Sequence, residues 1–225
     1  MPKTIIINGS PKPKDSVSGI FIDKIEEFLE KKPKTYHVNQ LIDEKNGLNT
    51  LHDILNSDVL VFVFPLYVDS LPAPLIKVLT RIEEIGKNTN GNQPKVYAIS
   101  NCGFFEPGHN RLALDIVKNF SSHLGMSWGY GIGIGGGGLI ASQSKNIAKD
   151  GSASNVYNVL YEFCKAIENN DKAIENKHDK KENVFLSPEI PRSLYKLGGN
   201  LGWYQIAMKN GTLRSLKAQV HDFKK

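Results

Sequence analysis

"DVLVFVFP", Asp58 to Pro65, is apolar at every position from Val59 to Phe64. A half-exposed strand would alternate with polar residues, and an amphipathic helix would place them at every turn. An unbroken run of this length, bounded by Asp and Pro, fits a strand covered by helices on both faces. It reads as the central strand of a parallel sheet, and its neighbours in the chain supply the layers.

Upstream, Thr4 to Asn8 forms a first strand. Ile22, Ile25, Phe28 and Leu29 then recur at helical spacing, with Asp15, Ser16 or Ser18 available as a cap and Pro33 beyond the end. A short strand around Thr35 to Val38 and a weak helix from Leu48 to Leu55 lead into the central run. Downstream, Leu75, Val78, Leu79 and Ile82 make one helical stripe behind Pro72 and Pro74, which fall where a first turn needs no amide donor.

"KVYAISN", Lys95 to Asn101, is a fourth strand, and its helix carries Leu112, Ile116, Phe120 and Leu124 before Gly125. The fifth strand, "SWGYGIGIGGGG" from Ser127, alternates Trp128, Tyr130, Ile132 and Ile134 with glycines, a bare face that lets another backbone or a ligand come close. Val156, Val159, Leu160, Phe163 and Ile167 mark the last body helix. Five strands with intervening helices predict an α/β doubly wound parallel sheet.

At 225 residues the chain can bury a full core. No apolar run is long enough to cross a bilayer and no export signal opens the sequence, so a cytoplasmic location is expected. Cys102 and Cys164 are too far apart for a disulfide framework or a CxxC site, and the six histidines do not cluster, so no metal is expected. The charge is unevenly distributed: from Arg192 onward there are seven Lys and Arg against one Asp, a net of +6, leaving −1 for the rest. The body therefore gives no reason to expect nucleic acid.

In a doubly wound sheet ligands sit beyond the carboxyl ends of the strands, where the strand order reverses. The loop Gly9 to Ser18 brings amides, hydroxyls, Lys12 and Lys14 to the positive end of a helix, a seat for a phosphate dianion. Neither a Walker motif nor G-x-G-x-x-G is present, and a Ser-rich turn that only caps a helix is the plainer alternative. Pro65 to Lys77 puts Tyr67 directly after the buried strand, either to meet the edge of a flat ring or to cover the end of the core. Ser100 to Asn110 combines an amide, a small thiol, a glycine and two aromatics, which can meet a heterocycle or form a simple turn with Cys102 as a small buried residue.

G-S-P-K after strand one, P-L-Y-V-D-S-L-P-A-P-L-I-K after strand three and N-C-G-F-F-E-P after strand four together resemble the flavodoxin-like NAD(P)H-dependent FMN reductases. The resemblance covers roughly the first two-thirds of the chain, with the middle loop its most specific part. It implies a flavodoxin-like sheet of order 2-1-3-4-5 binding FMN non-covalently, with NAD(P)H as a transient co-substrate and a quinone, flavin or other small molecule as electron acceptor. By position, Ser10, Lys12, Ser16, Val17 and Ser18 would hold the phosphate; Pro65, Leu66, Tyr67 and Val68 would line the isoalloxazine; Asn101, Cys102, Gly103 and Phe104 would close its other edge.

The first loop departs from the family pattern. Lys12 and Val17-Ser18 stand where family members usually carry Arg and an Asn-Ser or Asn-Thr pair. No compact cysteine cluster exists for an iron-sulfur centre. Catalysis by hydride exchange through a flavin needs no side-chain acid or base, so no catalytic residue is nominated. The alternatives are a flavodoxin-type electron carrier with no nicotinamide activity, though T-x-T-G-x-T and a strongly acidic charge are both absent, and a module that keeps the fold for another phosphorylated ligand.

The expected organisation is a flavodoxin-like FMN-binding domain over 1–170, a charged linker over 171–186, and a basic amphipathic C-terminal helical extension over 187–225. In the extension Leu194, Leu197, Leu201, Tyr204 and Met208 recur at helical spacing, weakened by Gly198, Gly199 and Gly202. Such a stripe is expected to find cover on its own body or across a dimer or tetramer, with a membrane surface as the other outlet.

Overall fold

The computed structural model describes residues 1–42, 44–87, 93–142, 147–169 and 182–216. They fall into two compact units, Met1–Glu189 and Ile190–Lys225. In the first, the order is β1 (Thr4–Asn8), α1 (Val17–Phe28), β2 (Lys34–His37), α2 (Val38–Ile42), α3 (Glu44–Leu55), β3 (Val59–Pro65), α4 (Ala73–Gly86), β4 (Lys95–Asn101), a 3₁₀ turn (Pro107–Asn110), α5 (Arg111–His123), β5 (Ser127–Ile134), α6 (Gly137–Ser142), α7 (Ser154–Glu168) and β6 (Val184–Leu186). The second contains α8 (Arg192–Lys209) and a 3₁₀ turn (Leu213–Ser215). No described helix is long and apolar enough to cross a membrane.

The strands pair in parallel in the order β2-β1-β3-β4-β5-β6. Successive side chains of β3 point to opposite faces, so its unbroken apolar run feeds two cores. Val59, Val61 and Val63 join Ile6, Phe21, Ile99 and Phe163 beneath α1 and α7. Leu60, Phe62 and Phe64 join Ile5, Ile7, Leu75, Val78 and Leu114 beneath α4 and α5. Each such buried side chain contributes about 1.5–3 kcal/mol, and both faces must be covered for the strand to hold.

Five strands were expected and six are present. Val184–Leu186 pairs with Ile132, Gly133 and Ile134 of β5, inside the stretch expected to be linker. A run of three apolar residues beside a charged segment shows too little periodicity to register as a strand. The rest of the expected linker, residues 171–181, lies outside the described residues.

The glycines of β5 do meet close neighbours, and these are groups of the chain itself. A Cβ on Gly129 would collide with the Tyr97 ring, one on Gly131 with Leu114, and one on Gly133 with the Phe185 ring. Tyr97 uses that space to make edge-to-face contacts with Tyr130 and Phe163, at centroid distances of 5.6 and 5.5 Å.

At the β2 edge, the Asp53 carboxylate accepts from Lys3 Nζ (2.7 Å), Lys34 Nζ (2.8 Å) and the Tyr36 hydroxyl (3.2 Å). The two ammonium groups lower its pKa from 3.8 to about 2. A lowered carboxylate value adds stability that is complete above the unfolded value of 3.8 and lost as pH falls through about 2. Asp53→Asn is expected to cost on the order of 1 kcal/mol at neutral pH, as for a partly exposed pair. Denaturant melts of the two proteins at descending pH should show that difference closing on the acid side of 3.8; a difference that grows there would refute the pairing.

Candidate functional site at the carboxyl edge of the sheet

β1, β3 and β4 are adjacent, so their outgoing loops share one rim at the point where the chain reverses its winding. In the first loop, Asn8 Oδ1 accepts from the Ser10 amide (3.0 Å) and Ser10 Oγ from the Lys12 amide (3.2 Å), folding the chain back on itself. Ser16 is the N-cap of α1, its Oγ accepting from the Gly19 amide at 3.0 Å. Of the three candidate caps, the side chain that fits the N3 donor is this one.

Lys12 and Lys14 are exposed, Ser10, Ser16 and Ser18 are buried, and Val17 is half-buried. The first-turn amides of Val17 and Ser18 have no acceptor within the helix. Each of the three serines uses its oxygen as an acceptor, Ser18 from Asn101, which leaves its hydroxyl proton for another partner.

Asn101 fastens the three loops together. Its Nδ2 donates to Ser18 Oγ (3.1 Å) and to the Phe64 carbonyl (3.0 Å), and its own carbonyl accepts from the Leu66 amide at 2.7 Å. The side chain is buried and gives the rim its shape. Cys102 is buried as well: its amide donates to Ile134 O (2.9 Å) and its sulfur accepts from Asn110 Nδ2 (3.4 Å). Burial pushes the Cys102 thiol up, away from the thiolate a nucleophile needs. Of the four candidates in this loop, Gly103 and Phe104 are the exposed ones.

The middle loop makes a tight reversal. Tyr67 and Ser70 exchange amide-to-carbonyl bonds of 3.0 and 3.1 Å around Val68 and Asp69, whose φ angles are +50° and +56°. Both central residues are therefore left-handed, the geometry of a type I′ turn that normally takes Asn-Gly or Asp-Gly. A β-branched residue is a poor occupant of that region. Val68 is 99% exposed, so no contact within the chain compensates. Tyr67 is 44% exposed beside it, and Pro65 and Leu66 are half-buried.

Val68→Gly is expected to raise the stability of the ligand-free protein by up to about 1 kcal/mol, the relief of a left-handed side chain less the entropy cost of glycine. Chemical denaturation of the apoprotein reads this directly. A loss of stability would mean that the Val68 side chain is supported and unstrained.

Several positions that shape the rim carry no signal in the sequence reading. His109 stacks on Phe104 with centroids 4.5 Å apart and lies 3.9 Å from the Asp69 carboxylate, joining the middle and third loops. Asn110 is fully buried and bonds Ser100 Oγ (2.8 Å), Pro107 O (3.0 Å) and Ile134 O (3.3 Å). A fourth loop follows β5: the Gly136 and Gly137 amides donate to Phe104 O (2.7 Å) and Cys102 O (2.9 Å). Ser187 Oγ, just after β6, donates to the Phe105 carbonyl. The turn after β4 is thus held from both sides. Among the described residues no His, Cys, Asp or Glu cluster could hold a metal ion.

No protein-family model matches the chain, and no curated protein does. Solved structures do. An NAD(P)H:quinone oxidoreductase from Methanothermobacter marburgensis is 15% identical with a TM-score of 0.53, over 74% of this chain and 96% of that one. An NADH:FMN oxidoreductase in its apo form is 17% identical with a TM-score of 0.53, over 74% and 90%. An NADPH-quinone reductase from P. pentosaceus is 15% identical with a TM-score of 0.51, over 72% and 97%. Likeness at these identities reports architecture, and with the strand order and rim described above it shows that the chain has the flavodoxin-like fold.

Proposed function

We propose that this chain binds FMN non-covalently at the rim and serves an NAD(P)H-dependent reduction of a small-molecule acceptor. The observation that carries the reading is the Asn101 clamp, which fixes a hydroxyl-rich helix start, an aromatic turn and an exposed Gly-Phe turn in one place. The residues present fit the cofactor. Ser10, Ser16 and Ser18 retain unspent hydroxyl protons, the Val17 and Ser18 amides lack helical acceptors, and Lys12 and Lys14 add positive charge, a donor set suited to a phosphate dianion.

FMN, when bound, supplies the redox chemistry, accepting a hydride from the reduced nicotinamide and passing electrons to the acceptor. What this chain contributes is binding, orientation and exclusion. Tyr67, Val68 and Phe104 offer exposed apolar surface to a flat ring, and the backbone at Gly103 leaves room for its edge. Burial holds the Cys102 thiol protonated, so it offers no nucleophile beside the ring. The printed titles of similar structures, NAD(P)H:quinone oxidoreductase and NADH:FMN oxidoreductase, support the reaction kind.

The test begins with purified protein. It should be yellow as isolated or should quench FMN fluorescence on titration, and NADH or NADPH should bleach the bound flavin without a partner protein. Flavin that binds but resists both nicotinamides would make the chain an electron carrier. Failure to bind FMN ends the proposal. Steady-state assays of both nicotinamides against quinones, nitro compounds and free flavin would then identify the acceptor class.

A further inference from the structure

The second unit exposes apolar surface that the rim does not use. Leu194, Leu197, Leu201, Trp203, Tyr204, Ile206 and Met208 of α8, with Leu213 and Leu216 beyond it, are between 40% and 67% exposed. Spacings of three and four place Leu194, Leu197, Leu201, Tyr204 and Met208 within an arc of about 80° on the helix. Arg192 and Lys196 lie on the side away from that arc, as do Trp203 and Ile206, and Lys209 lies on its flank.

Charge decides what can cover such a surface. From Ile190 to Leu216 there is no acidic residue, against Arg192, Lys196, Lys209 and Arg214. A second copy of α8 laid on the first would bring two such cationic sets together without a counter-charge. A surface that is both apolar and anionic complements α8 on both counts, and an anionic lipid leaflet is such a surface.

We infer that α8 is an interfacial anchor for anionic membranes. The Leu194-Leu197-Leu201-Tyr204-Met208 stripe enters the headgroup-acyl boundary, Lys209 on its flank meets lipid phosphates, and the long Lys196 and Arg214 side chains reach back to them. Gly198, Gly199 and Gly202, where an added Cβ would meet nothing within 4 Å, lower intrinsic helix stability and so leave α8 dependent on an external surface. Lipid binding by α8 does not depend on what the three loops hold.

The experiment is flotation of the full chain with phosphatidylcholine vesicles, with and without phosphatidylglycerol, alongside sizing in the absence of lipid. Flotation is expected with the anionic vesicles and should weaken with salt. Each cation near such a surface multiplies partitioning by about fivefold, so Lys196→Ala with Lys209→Ala should lower it about 25-fold. Leu197→Ser with Leu201→Ser should abolish flotation while leaving flavin titration of the same preparation unchanged, which shows that the body is folded. No flotation on anionic vesicles overturns the anchor. So does a lipid-independent dimer that Leu197→Ser with Leu201→Ser dissociates, since that would assign the stripe to a second copy.

Discussion

Asn101→Ala should unfold at markedly lower denaturant and lose FMN together. Truncation removes both Nδ2 donations, leaving Ser18 Oγ and the Phe64 carbonyl buried without their donor. Abandoned buried groups of this kind cost about 1–3 kcal/mol each, and partial relaxation into the space left gives a total of about 2–4 kcal/mol. The functional consequence is separate. Without the clamp the start of α1 and the end of β3 are no longer fixed to β4, and FMN affinity should fall tenfold or more, about 1.4 kcal/mol or above.

Two further variants isolate the cause. Ser18→Ala deletes one of the two acceptors and one candidate phosphate donor, so it should cost about 1 kcal/mol in stability and still weaken FMN. Combined with Asn101→Ala, it should cost less than the sum, because both changes break the same bond. Denaturant melts of the apoproteins and fluorescence titrations with FMN supply the measurements. A destabilised Asn101→Ala protein that binds FMN as tightly as the parent would detach the clamp from any role in the site.

The sequence shows where this rim lies more readily than how it is held. β3 is legible because Val59 to Phe64 must satisfy two cores, and that demand excludes polar residues from every position. Once the strands are placed, the topology alone brings the loops after β1, β3 and β4 to one edge. Asn101 reads as a ring contact because it ends a strand beside Cys-Gly-Phe. That it also bonds Ser18, 83 residues away, is recorded by no local pattern. His109 and Asn110 are hidden for the same reason, since Asp69 and Ile134 come near them only through the fold. β6 escapes notice because three residues carry no period.

Gly135→Ala should be the most damaging single methyl in the chain's site region. An added Cβ would fall on the Phe105 carbonyl oxygen, well inside van der Waals contact, and 2.6 Å from Ser187 Oγ. The first obstacle is backbone, which cannot rotate aside as a flexible side chain would. Either the 135–137 turn moves, breaking the Gly136-Phe104 and Gly137-Cys102 bonds, or Phe105 moves and gives up its bond from Ser187. Overpacking of this kind costs about 1–3 kcal/mol, and both routes displace Phe104 from the rim. Gly103→Ala is the matched control, because its Cβ would meet nothing within 4 Å in the protein. It should melt like the parent. If the ring edge reaches Gly103, it should nevertheless bind FMN more weakly, so the two substitutions would separate damage to the scaffold from a clash with the ligand. Equal FMN affinity in Gly103→Ala and the parent would remove Gly103 from the site, and parental stability in Gly135→Ala would refute the close packing of the loops after β4 and β5.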